Sequence, residues 1–157
     1  MRPTKRRWLD AYHESGHAIV AAVQGIDVHR VSILPIGRTR GRCFHGLVTD
    51  PMAALVILWA GIIAEGLSGK GRVLPRRSTG SDAPAAEKLV EKMCPNGCDA
   101  ERVTLHLAAI EKASALLRRN WASVVSLAEQ LQTAGELDGA VVRRTLGTFG
   151  GLALGDH

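Results

Sequence analysis

Tyr12-His13-Glu14-Ser15-Gly16-His17-Ala18, YHESGHA, places two histidines four residues apart, with a glutamate directly after the first. Its surroundings decide how that spacing is read. Trp8, Ala11, Tyr12, Ser15, Ala18, Ile19, Ala22 and Val23 recur every three or four positions, and Gly25 stands where a helix would end. On a helix, positions four apart differ by about 40° around the axis and about 6 Å along it, so both imidazoles reach one ion. Zinc held by two imidazoles needs a third protein ligand and an open position for water. Glu14, one residue past the first histidine, is placed to take a proton from that water rather than to bind the metal. HExxH arises by chance in fewer than roughly one in a hundred chains of this length. The stretch therefore predicts a zinc peptidase site with His13 and His17 as ligands and Glu14 as general base.

Outward from this helix, Val28 to Leu34 reads as a strand closed by Pro35 and Gly37, and Arg42 to Val48 as a weaker one. Asp50-Pro51 opens a second helix, Met52 to Gly66, apolar on most sides and so expected at the centre of the domain. Ser68 to Gly80 reads as a loop. A third helix begins at Ser81 or Asp82, with Pro84 tolerated in its first turn, and runs to Met93, where the CPNGC turn ends it. From Asp99 a helical pair follows, one stripe marked by Val103, Leu107, Ile110, Ala113 and Leu117, the other by Trp121, Val124, Leu127, Ala128 and Leu131. Asp138-Gly139 opens a short last helix. The fold class is mainly α with a small β-sheet beside the HExxH helix. One domain is expected across residues 1–157, with a core from about 8 to 146.

Composition narrows the class. With 46% hydrophobic and 22% charged residues the chain is globular, and 4% aromatics beside abundant Ala and Leu favours helices over a β-sandwich. Twenty Lys and Arg against fifteen Asp and Glu leave a net charge of +5, compatible with anionic partners. The arginines gather at Arg2, Arg6 and Arg7, at Arg38, Arg40 and Arg42, and at Arg72, Arg76 and Arg77, without interleaved aromatics. They read as solvated segments, and no nucleic-acid partner is expected. Three cysteines make no disulfide framework, so a reducing, cytoplasmic setting is expected. Cys94 and Cys98 supply only half of a four-ligand zinc site and read as flanks of a turn. The apolar run from Met52 to Ala64 is shorter than the roughly 20 residues a bilayer needs, and no signal peptide is seen.

The residues also resemble a known family. YHESGHAIVA is similar to the signature of the FtsH-type ATP-dependent zinc metalloproteases, and further likeness follows in VHRVSILPIGR, AGIIAEGLSG, STGSD and RRNWASVVSLAEQLQTAGELDGAVVRR. The resemblance covers nearly all of Ala11 to Leu146. It implies a helical peptidase domain, zinc as cofactor, and an aspartate as third ligand near the start of the helix after Ser-Thr-Gly. Aligning that helix on Ala86, Leu89 and Met93 puts Asp82 on the ligand position, although the stretch from Ser78 to Asp82 is two residues shorter than the family pattern. Glu65, at the end of an apolar helix, competes for the role. Its match to the family's Ala-Glu position implies instead that it supports a ligand histidine from behind. His29, His45 and His106 lack partners at metal spacing. The family's ATPase module and membrane anchor have no counterpart here, and GLSGKGR lacks the first glycine and the Ser or Thr of a phosphate-binding loop. The expected activity is ATP-independent endopeptidase cleavage of unfolded or flexible polypeptides. The substrate is expected to lie along Val31, Ser32, Ile33 and Leu34 as an added strand. A metal-containing adaptor of a separate ATPase is the rival reading, and homo-oligomerisation stays open.

Overall fold

The computed structural model describes residues 4–38, 41–70 and 81–149. Helix α1 spans Lys5–Val23 and starts a turn earlier than the apolar periodicity, because the Thr4 side chain caps it by accepting from the Arg7 N–H at 3.3 Å. Strands β1 (Val28–Ser32) and β2 (Arg42–His45) follow, then α2 (Pro51–Leu67), α3 (Asp82–Met93), α4 (Asp99–Arg119), α5 (Trp121–Ala134), β3 (Glu136–Asp138) and α6 (Gly139–Phe149). Among the described residues the protein is mainly helical, with one small antiparallel sheet beside α1.

α1 is the centre of the molecule, buried without a break from Ala11 to Ala21. It packs against α2 on one side, α5 on another and the sheet on a third. Gly16 serves this packing: a Cβ there would stand 2.6 Å from the Ala64 Cβ and 2.7 Å from the Ala60 oxygen, so the small residue lets α2 approach α1. α2 opens as the sequence reads, with the Asp50 carboxylate accepting from the Met52 and Ala53 N–H groups at 3.1 and 3.2 Å and Pro51 in the first turn. It packs on α1, α3 and α4, and no described helix is long and apolar enough to cross a membrane. Gly66 and Leu67 close this helix and Ser68 to Lys70 follow it, whereas a phosphate-binding loop needs a preceding strand.

Several expectations change. β1 is shorter than Val28 to Leu34, since the Leu34 N–H turns to the Ser32 hydroxyl at 3.1 Å ahead of Pro35. β2 stops at His45 rather than Val48. The α4 stripe holds in its C-terminal half, where Ala113 and Leu117 are fully buried, but Ala109 is the buried residue before them while Val103 and Leu107 face solvent at 53% and 60% exposure. Alanines allow a closer approach of the neighbouring helices than Val or Leu, and that decides the phase. On α5, Val124, Leu127, Ala128 and Leu131 are buried as read, and Trp121 stacks on Tyr12 with ring centroids 5.7 Å apart. Arg7 is no solvated loop residue, because its guanidinium donates to the Gln132 carbonyl at 3.3 Å and ties α1 to α5. The CPNGC turn caps α4 through the Cys98 N–H on Glu101 at 2.8 Å, and all three cysteines are free. The loop read over Ser68 to Gly80 is described only as far as Lys70. Ser78, Thr79 and Gly80 of STGSD lie outside the described residues, as do Arg2, Arg40, Arg72, Arg76 and Arg77.

The sheet order is β2-β1-β3, which overturns the expected substrate edge. Val31 is paired with Cys43 on one side and Leu137 on the other, and Ser32 with Arg42 and Glu136. The Ile33 N–H donates to the Gly135 carbonyl at 2.8 Å. Both edges of Val31 and Ser32 are therefore filled, and among the described residues the outer edge of β2 is the unpaired one next to α1.

Candidate metal centre

The side chains of His13 and His17 leave the same face of α1 and meet edge to face, with ring centroids 4.6 Å apart and planes at 82°. The Nδ1 of each is occupied from α2. His17 donates its Nδ1–H to the Ile57 carbonyl at 2.7 Å, and His13 donates its Nδ1–H to the Glu65 carboxylate at 2.6 Å. Those partners occupy the Nδ1 of each ring, so both Nε2 atoms face the centre. Asp82, the first residue of α3, brings Oδ2 to 2.7 Å from His13 Nε2 and 3.2 Å from His17 Nε2, and the two Nε2 atoms are 3.0 Å apart.

Three potential ligand atoms thus converge, and the Asp82 carboxylate among them requires a positive charge, which a proton on His13 or a metal ion supplies. The requirement registers on His13: burial lowers its pKa, yet the Asp82 and Glu65 carboxylates on its two nitrogens raise it to about 10. Burial likewise pushes Asp82 up, but the two imidazoles hold its carboxyl well below the usual carboxylate range. Tetrahedral zinc with bonds of 2.0 to 2.1 Å spaces its ligand atoms by about 3.3 Å. The observed 2.7 to 3.2 Å fits such an ion with an opening of a few tenths of an ångström. Among the described residues, His13, His17 and Asp82 form the one group of three His, Cys, Asp or Glu side chains close enough to hold a metal.

Glu14 stands beside this group. It is 8% exposed and, among the described residues, accepts no hydrogen bond. Burial raises its proton affinity, while the neighbouring His17 and His13 lower it and Asp82 raises it further. Its carboxylate lies against Gly41, just before β2, where a Cβ would come within 2.8 Å of Oε1. Cys43, two residues on, stays a neutral thiol because burial and the Glu14 charge both push its pKa up. Glu65 touches the site only through the outer nitrogen of His13. His29 lies 3.4 Å from Asp27, His45 donates to the Gly46 carbonyl at 2.9 Å, and His106 accepts from the Trp59 indole N–H at 3.2 Å, all away from the centre.

Three contributors escaped the sequence reading. They are the Ile57 carbonyl, Gly41 and Gly61. A Cβ on Gly61 would fall 2.5 Å from His17 Nε2 and 2.8 Å from His13 Nε2, crowding both rings at the nitrogens that face the centre. Gly61→Ala is expected to fold but to bind zinc about 10- to 100-fold more weakly, the equivalent of the usual 1 to 3 kcal/mol of overpacking. Zinc titration monitored with a competing chromophoric chelator checks this, and wild-type affinity in Gly61→Ala would refute the proposed crowding. Ile57, Gly61 and Glu65 are spaced four apart on α2, a signal that all three line one face.

No family model matches the chain. It is 32% identical over 146 residues to the ATP-dependent zinc metalloprotease FtsH of Caldicellulosiruptor bescii, an alignment covering 85% of this chain and 23% of that protein. It is 38% identical over 101 residues to the protein of the same name from Magnetococcus marinus, covering 57% of this chain and 14% of the relative. The chain thus spans about a quarter or less of the length of these curated relatives. Over most of its own length, it is a distant relative of the FtsH zinc metalloproteases.

Proposed function

We propose that the chain is a zinc-dependent endopeptidase in which His13, His17 and Asp82 hold the metal and Glu14 is the general base. The observation that carries this is the convergence of three potential metal-ligand atoms within 3.2 Å of one another, beside a buried carboxylate with no partner among the described residues. Bound zinc supplies Lewis-acid polarisation of the scissile carbonyl and a water of lowered pKa. Glu14 takes the proton of the attacking water and delivers it to the leaving amine, a transfer favoured by a carboxylate whose proton affinity burial has raised. Glu65 and the Ile57 carbonyl orient the two imidazoles, and Glu65 makes His13 a stronger donor to the metal.

The substrate pairs with the outer edge of β2 rather than with β1. That edge begins at Arg42, next to the Gly41 that lies against Glu14, so an extended peptide added there passes the proton acceptor. Backbone pairing selects flexible or unfolded polypeptides, and nothing in the reaction calls for ATP. The test is metal content together with cleavage of unfolded casein. One zinc per chain is expected, with proteolysis that a chelator abolishes, added zinc restores and ATP leaves unchanged. Chelator-resistant cleavage, or a zinc-loaded chain without proteolysis, would overturn the reading.

A further inference from the structure

The outer face of the sheet carries a charge that its own residues do not balance. Arg30 stands across from Phe44 in the β1–β2 pairing, and Arg42 shares the strand with Phe44 two residues away. The Arg30 guanidinium lies 4.3 Å from the Phe44 ring centroid and that of Arg42 lies 5.6 Å from it, so one ring is flanked by two cations. Arg30 is offset by Glu136 at 3.6 Å. Asp138, across from Arg30 on the other side, is engaged in capping α6 through the Val141 N–H at 3.1 Å. Arg42 is exposed, and among the described residues no carboxylate lies within ion-pair distance of it.

Its position gives the charge a role. Arg42 follows Gly41, which abuts the Glu14 carboxylate, so its backbone is one residue along the open-edged strand from the proposed proton acceptor while its side chain turns to the outer face. A peptide added to that edge turns alternate side chains to the outer face, with the nearest about 4.5 to 5.5 Å, Cβ to Cβ, from its cross-strand neighbour. Phe44 restricts the planar guanidinium to few orientations, which lowers the entropy lost when it meets a carboxylate. We propose that Arg42, backed by Phe44, selects extended peptides that carry an acidic side chain at the outward-facing position beside it. This selectivity rests on the peptidase reading and on β2 as the docking edge.

The experiment uses a set of short extended peptides scanned with Glu, Gln or Lys at each position. Cleavage by the zinc-loaded chain is read as kcat/KM, and binding is read by fluorescence anisotropy on Glu14→Gln, with and without Arg42→Glu. At one position, Glu peptides are expected to bind and be cut about three- to tenfold better than Lys peptides, with Gln between, as a cross-strand ion pair allows. Arg42→Glu is expected to invert that order. Equal binding of Glu and Lys peptides at every position, or an order unchanged by Arg42→Glu, overturns the proposal. Absence of cleavage with the Glu preference in binding intact, and inverted by Arg42→Glu, overturns the peptidase reading and leaves the selection of acidic segments supported.

Discussion

Glu14→Gln is expected to retain one zinc per chain and the fold, while peptide hydrolysis falls by about 10²- to 10⁴-fold, the usual contribution of a positioned general base. The substitution keeps the shape of a side chain that lies against Gly41 and is 8% exposed, so it introduces no overpacking. It removes only the ability to accept a proton. The three converging atoms belong to other residues, and losing the Glu14 charge leaves Asp82 to balance the ion. Zinc content by mass spectrometry of the native protein, beside casein cleavage under matched zinc occupancy, reads both outcomes. Cleavage at the wild-type rate by zinc-loaded Glu14→Gln would remove Glu14 from the mechanism, whereas loss of zinc would make it a ligand.

The parts of this site that sequence discloses are those built by local chemistry. Helical spacing alone puts His13 and His17 on one face, and the Asp50 cap followed by Pro51 announces the start of α2. What it misses is set by partners distant in the chain. Glu136 to Asp138 carry no strand pattern longer than three residues, and they become β3 because β1 offers them a hydrogen-bonding edge. That pairing is also why Val31 and Ser32, in a run where Val31 and Ile33 alternate as a strand should, are closed on both sides. The first two turns of the α4 stripe, Val103 and Leu107, fail for a related reason. Two overlapping phases fit the helical period, and only packing against neighbouring helices selects the alanine phase. Gly61 is one of seventeen glycines, and its importance exists only once α1 lays two imidazoles over it.

The two carboxylates on His13 should separate when each is neutralised, because they meet opposite nitrogens of the ring. Asp82 faces Nε2, the atom that also faces His17, and Glu65 faces Nδ1, the atom turned away from the centre. Asp82→Asn exchanges an anionic oxygen shared by both imidazoles for a neutral amide, so zinc affinity is expected to fall by more than about 100-fold, beyond the range of outer-shell changes. Few buried contacts depend on the side chain, since α3 is anchored by Ala86 and Val90, and the helical fold should survive. Glu65→Gln keeps an acceptor oxygen for the Nδ1–H but removes the charge that makes His13 a strong donor. Its zinc affinity is expected to fall about 10- to 100-fold, the range for residues that orient a ligand from behind. Competition titrations against a chelator of known affinity, with circular dichroism to establish that both variants are folded, measure the pair. Full zinc binding by Asp82→Asn with loss in Glu65→Gln would move the third ligand to Glu65, and equal losses would make the two carboxylates one coupled unit around His13.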